Sequence, residues 1–406
     1  MKHFGLLGRR LGHSFSPRIH KELGEYEYRL YEKEPFELDA FLRGGAFDGL
    51  NVTIPYKEAV LPYCSQLSGC ARAVGSVNTL IRQKDGTLLG DNTDYCGFAA
   101  MLRQADTDVR GKNVLVLGSG GASKTVQAVL KKVGAEVSVV SRSGRLNYEN
   151  VYRQPDVRMI VNTTPVGMYP ENGRAPLCIG RFPACEALFD LIYNPARTRL
   201  MLDAMDRKIP VLGGLCMLVE QAAAASALFT GREVPPGETR DLLRRLSRET
   251  ENIVLIGMPG CGKTTTGRML AQLLGRPFYD VDEEIVRRQG MSIPEIFARF
   301  GEDAFRTMET RATARLSAQS GAVIASGGGV VERRENRDLL RQNSVVVWIR
   351  RSLGELSSDG RPVSQSRPVA DIAAKRLPLY ERWSDISVAA CGALATAQQI
   401  RKELTL

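Results

Sequence analysis

The chain has 406 residues, of which 25% are charged and 43% hydrophobic, a balance typical of a globular protein with two or three domains. No apolar run reaches the roughly 18 residues of a membrane-spanning helix, and the N-terminus lacks the apolar core of a signal peptide, so we expect a cytoplasmic protein without a membrane partner. The net charge of +10 is spread over the chain, with 22 Lys and Arg against 18 Asp and Glu after residue 249. A nucleic-acid partner is therefore not expected, because nucleic-acid-binding surfaces concentrate their basic residues.

Short strands and helices alternate along the first part of the chain, where a strand at residues 48–54 is ended by Pro55. A second series begins with strands at residues 113–117 and 136–140, both rich in β-branched side chains. This alternation predicts an α/β protein with a parallel, doubly wound sheet. An alanine-rich helix is predicted at residues 215–229.

The first glycine-rich loop, with Gly118, Gly120, Gly121 and Ala122, follows the strand at residues 113–117. Such a loop, leading from a strand into a helix, directs backbone N–H groups at a phosphate. About twenty residues later an NAD site would have an acidic residue that binds the ribose hydroxyls.

Instead of that acidic residue the chain has Ser141 and Arg142, and a guanidinium beside small hydroxyls suits the 2′-phosphate of NADP. Arg142 on its own could equally be a solvated surface arginine. The loop alone is also a weak signal, since short glycine loops occur by chance.

Six motifs in the first half resemble those of the shikimate dehydrogenase family, in the same order and with ordinary spacing. They lie at residues 12–17, 51–57, 76–79, 90–94, 162–168 and 190–195. The resemblance implies a substrate-binding domain at residues 1–98 plus 216–245 and a Rossmann-type NADP-binding domain at residues 99–215. It also implies roles for individual side chains.

By that resemblance, Lys57 is the acid/base and Asp94 is its orienting partner. Hydride addition to a carbonyl leaves a negative oxygen, which a nearby ammonium can stabilise and protonate. The residues implied to bind shikimate are Ser14, Ser16, Thr53, Asn78, Tyr193 and Gln221. Gly214 is implied to lie against the NADP cofactor.

The two halves of the chain meet at about residues 232–250. A turn-rich stretch at residues 231–238 has no helical periodicity, and a charged stretch at residues 240–251 is predicted to be helical. No internal repeat is visible, so the halves are not copies of each other.

The second glycine-rich loop, Gly257 to Thr264, fits the P-loop pattern G-x-x-x-x-G-K-[ST] in full. The pattern predicts an ATP site in which the backbone amides of Gly257, Gly260 and Gly262 surround the phosphates. Lys263 then reaches the β- and γ-phosphates, and the Thr264 hydroxyl binds Mg²⁺ with Thr265 beside it. The motif identifies the nucleotide but not the acceptor of the phosphoryl group.

Residues 252–390 resemble shikimate kinase, a small P-loop kinase, in the motifs around Tyr279, Phe300 and Ser326 and at residues 376–380. The resemblance implies a P-loop kinase domain with a parallel sheet at residues 250–406. It places Asp282 at the attacking hydroxyl and Asp280 near Mg²⁺. The residues implied to bind shikimate are Arg306, Arg376, Gly327, Gly328 and Gly329.

Arg361 resembles the lid arginine that closes over the transferring phosphoryl group in this family. The stretch from Arg361 to Arg376 is short for the family pattern, and Arg367 offers a competing register. We favour Arg361 as the lid arginine, with Arg367 as the alternative position and a flexible basic loop as a third possibility.

The two resemblances converge on one metabolite. They imply a bifunctional enzyme with small-molecule substrates, which reduces 3-dehydroshikimate with NADPH and then phosphorylates shikimate with MgATP. The alternative is an NADP-dependent shikimate or quinate dehydrogenase whose P-loop module is regulatory or a scaffold. The oligomeric state stays open.

Overall fold

The computed structural model describes residues 2–12, 14–154, 156–356 and 368–405. By their internal contacts the residues form two compact units, both of the predicted α/β class. Unit 1 comprises Met1–Val166, Ala175–Tyr193 and Asp203–Arg245, and unit 2 comprises Gly167–Arg174, Asn194–Leu202 and Leu246–Leu406. Within the described ranges, none of the helices combines the length and the apolar character that a bilayer crossing needs.

The first sheet of unit 1 has six strands in the order β2-β1-β3-β5-β6-β4. Its elements are β1 (His3–Gly8), α1 (Ser16–Leu23), β2 (Glu27–Glu32), α2 (Leu38–Gly44), β3 (Gly49–Val52), β4 (Gln66–Leu67), α3 (Gly69–Val74), β5 (Thr79–Arg82), β6 (Leu88–Asp91) and α4 (Thr93–Gln104). The sheet is mixed, because β5 pairs antiparallel with both β3 and β6. The antiparallel register aligns Asn51 with Thr79 and Thr79 with Asp91, so the ends of three strands meet at one edge.

The second sheet of unit 1 is fully parallel, with the order β11-β10-β9-β7-β8. The elements along this part of the chain are β7 (Asn113–Leu117), α5 (Gly121–Lys132), β8 (Glu136–Val140), β9 (Val157–Asn162), β10 (Ala187–Asp190), α6 (Arg199–Met205), β11 (Val211–Gly213), α7 (Leu215–Thr230) and α8 (Pro236–Thr250). Of these, α6 and α8 each include residues of both units. The chain goes from β7 to β8 on one side and returns to β9 on the other. Parallel sheets bind ligands at such a reversal, outside the carboxyl ends of the strands.

Unit 2 contains a five-stranded parallel sheet with the order β13-β14-β12-β15-β16. Its elements are β12 (Asn252–Ile256), α9 (Lys263–Leu274), β13 (Phe278–Asp280), α10 (Val281–Gln289), α11 (Ile293–Ser317), β14 (Val323–Ala325), α12 (Arg334–Arg341), β15 (Ser344–Arg350), α13 (Val369–Trp383), β16 (Ile386–Ala389) and α14 (Ala393–Glu403). Here β12 is the central strand, with β14 on one side and β15 on the other. The P-loop therefore leaves the sheet at its reversal point.

Two short segments from earlier in the chain, Gly167–Arg174 and Asn194–Leu202, fold as part of unit 2. Arg197 fixes the second of them, because its Nε donates to Arg341 O at 2.7 Å and its Nη2 to Ser344 O at 2.7 Å. Buried carbonyl groups of this kind need a donor, so removing the segment would leave them unpaired. Any test of unit 2 should therefore use the whole chain.

Sequence and structure agree on the alanine-rich helix, which is α7, and differ at the helix that follows it. The stretch at residues 231–238 was expected to be irregular, yet α8 begins at Pro236. Proline is favoured in the first turn of a helix because its missing N–H has no partner to lose there.

Candidate active sites

A cavity of about 260 Å³ in unit 1 brings together all eight side chains that sequence analysis assigned to its substrate and chemistry. They are Ser14, Ser16, Thr53, Lys57, Asn78, Asp94, Tyr193 and Gln221. Ala122 and Gly214, expected at the cofactor, line the same cavity. Residues as far apart in sequence as Ser14 and Gln221 thus meet around one space of small-molecule size.

Lys57 and Asp94 form an ion pair on the wall of this cavity, with 2.6 Å between Lys57 Nζ and Asp94 Oδ2. Asp94 lies in the first turn of α4, whose N-terminus is capped by the Asn92 side chain accepting from Tyr95 N. The Lys57 carbonyl accepts from Val77 N at 2.8 Å, which fixes the backbone of the lysine. The two side chains are 24% and 14% exposed, so the ammonium is held in place yet reachable from the cavity.

Asn78 is oriented by a buried hydrogen-bond network. Its Oδ1 accepts from Thr93 N at 2.7 Å and from the Thr79 hydroxyl at 3.0 Å. The oxygen is thereby committed to the protein, which leaves the amide NH₂ as the group that can donate to a ligand hydroxyl. Gln221 is placed similarly, since its Oε1 accepts from the Thr93 hydroxyl at 3.4 Å.

Tyr193, Ser14 and Ser16 line the same cavity as Lys57 and Asp94. The Tyr193 ring meets the edge of Phe15 with 5.6 Å between ring centroids, and burial raises the pKa of its hydroxyl. Ser14 Oγ accepts from Ser16 N at 3.2 Å. The phenol is therefore a neutral hydrogen-bond donor at physiological pH.

The first glycine loop has the backbone that a dinucleotide phosphate requires. Gly118 has φ +105°, and a Cβ there would meet Thr163 Oγ1 at 2.8 Å, so only glycine fits. Gly120 is the N-cap of α5, and the space beside Gly120 and Gly121 is open. The first N–H groups of α5 are thus available to an anion.

Arg142 lies close to that loop because of the strand register. Leu117 of β7 pairs with Val140 of β8, so Gly118 and Ser141 leave the sheet side by side. Arg142 follows directly and is exposed. Its position fits a contact with a phosphate on the adenosine ribose, and its exposure limits the energy of that contact.

The P-loop of unit 2 forms a concave run of backbone amides, in which Gly257, Gly260 and Gly262 all have positive φ (146°, 86° and 96°). Lys263 begins α9 and is buried, with Nζ donating to Gly257 O at 2.9 Å and Met258 O at 3.0 Å. The ammonium is therefore held inside the curve of the loop, where phosphates would lie.

Thr264 and Asp280, the residues expected at Mg²⁺, contact each other, with the Thr264 hydroxyl donating to Asp280 Oδ2 at 2.7 Å. Asp280 Oδ1 caps α10 by accepting from the N–H groups of Asp282 and Glu283. Among the residues that the structure describes, no group of three or more His, Cys, Asp or Glu side chains is placed to hold a metal. A site with few protein ligands fits Mg²⁺, which takes most of its ligands from phosphates and water.

Asp282 lies at the start of α10 with its Oδ1 buried and unpartnered within the described structure. Burial, followed by the charges of Asp280 and Glu309, raises the pKa of Asp282 to about 7, although Lys263 and Arg306 act against the rise. A Cβ on Gly327 would lie 3.1 Å from Asp282 Oδ1 and would collide with Glu309 Oε1. The glycine therefore opens the space in front of both carboxyls.

Arg306 and Arg376, the expected carboxylate-binding pair, are buried and already contact carboxylates of the chain. Arg306 Nη1 donates to Glu309 at 3.0 Å, and Arg376 Nε donates to Glu332 at 2.7 Å. A Cβ on Gly329 would collide with the Arg306 guanidinium, so this glycine lets the arginine reach the site.

Glu309 and Glu332 are the functional candidates that sequence analysis missed. Glu309 is three residues from Arg306 on α11, a spacing that places both on one helix face and could have revealed it. Burial raises the pKa of Glu309 although Arg306 opposes this. Arg361 and Arg367, the two candidates for the lid arginine, lie outside the described residues.

Comparison with protein families matches three parts of the chain. The shikimate dehydrogenase substrate binding domain matches residues 6–80, and the shikimate 5′-dehydrogenase C-terminal domain matches residues 214–244. A relative from Shouchella clausii, described as shikimate dehydrogenase (NADP(+)), is 35% identical over 259 residues, which are 57% of this chain and 94% of the relative. The chain belongs to the shikimate dehydrogenase family. The shikimate kinase family matches residues 259–405, so the same chain carries a shikimate kinase domain.

Solved structures of this dehydrogenase family agree with the fold. A shikimate 5-dehydrogenase from Thermus thermophilus in complex with NADP(H) and shikimate is 33% identical, with a TM-score of 0.55, and the match covers 60% of this chain and 99% of that one. A chorismate mutase/shikimate 5-dehydrogenase fusion protein from Clostridium acetobutylicum is 32% identical, with a TM-score of 0.57 and coverage of 61% and 97%. The predicted fold class and the predicted pair of families are confirmed.

Proposed function

We propose that this chain catalyses two consecutive reactions that share shikimate. The first is the NADPH-dependent reduction of 3-dehydroshikimate to shikimate, and the second is the MgATP-dependent phosphorylation of shikimate to shikimate 3-phosphate. The observation that carries the proposal is that each unit has its own set of reactive groups beside its own glycine loop: Lys57 with Asp94 in unit 1, and Asp282 with Lys263 in unit 2. We also propose that the protein acts in the cytoplasm and that its substrates are small molecules.

In unit 1, Lys57 supplies the proton of the first reaction. When bound, NADPH supplies a hydride to the carbonyl carbon of 3-dehydroshikimate. The carbonyl oxygen then gains negative charge, and Lys57 stabilises this charge and gives the oxygen its proton. Asp94, 2.6 Å from Lys57 Nζ, keeps the ammonium aimed into the cavity. Asn78, Tyr193 and the serine hydroxyls bind the ring hydroxyls and the carboxylate.

In unit 2, Asp282 accepts the proton of the shikimate hydroxyl that attacks phosphorus. A carboxyl with a pKa of about 7 is an efficient proton acceptor near neutral pH. MgATP supplies the phosphoryl group, and the O–P bond to ADP breaks as the new O–P bond forms. Lys263 and the loop amides would stabilise the phosphate charge, and Thr264 and Asp280 would hold the Mg²⁺ that neutralises it. We assign Arg306 and Arg376 to the shikimate carboxylate.

The alternative, a regulatory or scaffolding P-loop module, explains less of unit 2. Such a module needs the nucleotide loop but neither a buried carboxyl in front of Gly327 nor two buried arginines. Burying charged groups is costly, so a module without an acceptor would gain nothing from keeping them there.

A coupled assay on the full chain tests the proposal. With 3-dehydroshikimate, NADPH and MgATP together, we expect NADPH oxidation followed by shikimate 3-phosphate, with one ADP for each phosphorylated product. Without ATP, shikimate should accumulate. ATP hydrolysis without transfer to shikimate would support the regulatory alternative and exclude the kinase.

A further inference from the structure

The carboxylate of Glu332 lies between the two buried arginines of unit 2. Its Oε1 is 2.5 Å from Arg376 Nη2, 2.7 Å from Arg376 Nε and 3.8 Å from Arg306 Nη2. Glu332 ends a short 3-10 helix, Val330–Glu332, that directly follows the glycines at the front of the site. One oxygen atom of the chain thus accepts hydrogen bonds from Arg376 and lies within ion-pair distance of Arg306.

The positive charge of this arginine pair is balanced within the chain. Arg306 is paired with Glu309 at 3.0 Å, and Arg376 is paired with Glu332. Although burial acts against ionisation, the charge of Arg376, the hydrogen bonds from Lys375 and Arg376 and the charge of Arg306 hold the pKa of Glu332 below its usual range. Glu332 is therefore negative at neutral pH, and a further carboxylate would enter a cluster whose charge is already compensated.

We propose that Glu332 is a built-in competitor for the substrate carboxylate: it fills the place between Arg306 and Arg376 and must exchange with the carboxylate of shikimate before the acceptor binds. This inference rests on the proposed kinase function and adds to it a residue that sets acceptor affinity.

Lys375 makes the exchange feasible. Lys375 Nζ is 3.0 Å from Glu332 Oε2, whereas the contacts of Glu332 with Arg376 are made by Oε1, and the Lys375 side chain is 59% exposed. When Oε1 leaves the arginines, Glu332 can keep its ion pair with Lys375 and gain water at the surface. The chain thus has a partner for Glu332 in both arrangements, so no buried charge is left unpaired.

Steady-state kinetics of Glu332→Gln in the full chain test the competition. Gln keeps the volume but removes the negative charge, so the KM for shikimate in the kinase reaction should fall, by about three- to tenfold, the size of a charge-assisted contact. The kcat should stay within about twofold, because Glu332 touches no reacting atom. Glu332→Ala should change KM in the same direction.

Glu335→Gln is the matched control, since Glu335 is an exposed glutamate three residues away that contacts Arg333 and neither arginine of the pair. It should leave the KM for shikimate unchanged. A kinase kcat within about twofold of the unaltered chain reports that unit 2 of each variant is folded.

A KM for shikimate that is unchanged or raised in Glu332→Gln and Glu332→Ala would overturn the proposal. A raised KM would mean that Glu332 only positions the two arginines. Failure of the underlying function is distinguishable, because it would appear as absence of shikimate phosphorylation in the unaltered chain.

Discussion

The two candidate sites handle charge in opposite ways. In unit 1 a single ammonium and a single carboxylate, Lys57 and Asp94, pair at 2.6 Å on the wall of one cavity. In unit 2 several carboxyls converge on two arginines, and the pKa of Asp282 rises to about 7 through burial and its acidic neighbours. In the proposed mechanism, the first arrangement orients a proton donor, whereas the second provides a proton acceptor.

The comparison implies that the two sites can be disabled separately, and the strongest test is Lys57→Ala. We expect NADPH oxidation to fall by about 10²- to 10⁴-fold, the usual contribution of a positioned acid/base group. Shikimate phosphorylation should persist, because Lys57 belongs to the cavity of unit 1. Initial rates of both reactions on one preparation measure this.

Lys112→Ala is the control for Lys57→Ala, since Lys112 pairs with Glu186 outside the cavity and should retain both activities. Loss of both activities in Lys57→Ala would contradict the separation of the sites.

The reverse experiment is Lys263→Met in unit 2. Removing the ammonium from the P-loop should lower kinase activity by about 10²- to 10³-fold, because charge stabilisation at the transferred phosphoryl group is lost. Dehydrogenase activity should be retained. Lys402→Met, at an exposed position of α14, serves as the control and should keep both rates. Retained kinase activity in Lys263→Met would argue against this loop as the ATP site.

The Asp282→Asn variant should have opposite effects on kinase activity and on thermal stability. The variant should lose kinase activity by about a hundredfold or more, because the proton acceptor is gone. It should also melt at a higher temperature than the unaltered chain at pH 8 without nucleotide. The pKa of Asp282 is raised from 3.8 in the unfolded chain to about 7, so ionisation costs stability, progressively between about pH 4 and pH 7 and fully above pH 7.

Thermal melting of the variant and of the unaltered chain at pH 8 and pH 5 tests this prediction. The difference in melting temperature between the two proteins should be smaller at pH 5 than at pH 8. A variant that melts lower at pH 8 would show that the carboxylate stabilises unit 2, contrary to its raised pKa.

The two sites also differ in how much of each could be predicted from the sequence. Lys57, Asp94 and the P-loop lie in short motifs that a family resemblance or a full pattern match can recognise, whereas the Gly118 loop is a weak signal on its own. Glu332 could not be found this way, because its importance depends on Arg306 and Arg376, which come from two other helices. The antiparallel pairing of β5 also escaped the pattern of alternating strands and helices, which indicates parallel sheets by default.

The smallest expected effect concerns Arg142, which from the sequence alone could equally bind the 2′-phosphate of NADP or be a solvated surface arginine. Arg142→Gln should raise the KM for NADPH by about three- to tenfold, since an exposed guanidinium gains only a modest energy from a phosphate. The KM for NADH, which lacks the 2′-phosphate, should not change, and the ratio of the two values is the measurement. No change for either cofactor would mean that Arg142 is a solvated arginine, and an equal change for both would mean that it does not distinguish the 2′-phosphate; in either case NADP selectivity comes from elsewhere in unit 1. A selective effect would instead support a contact between Arg142 and the 2′-phosphate, which is the contact expected of a residue two positions beyond the last pair of the register that joins β7 to β8.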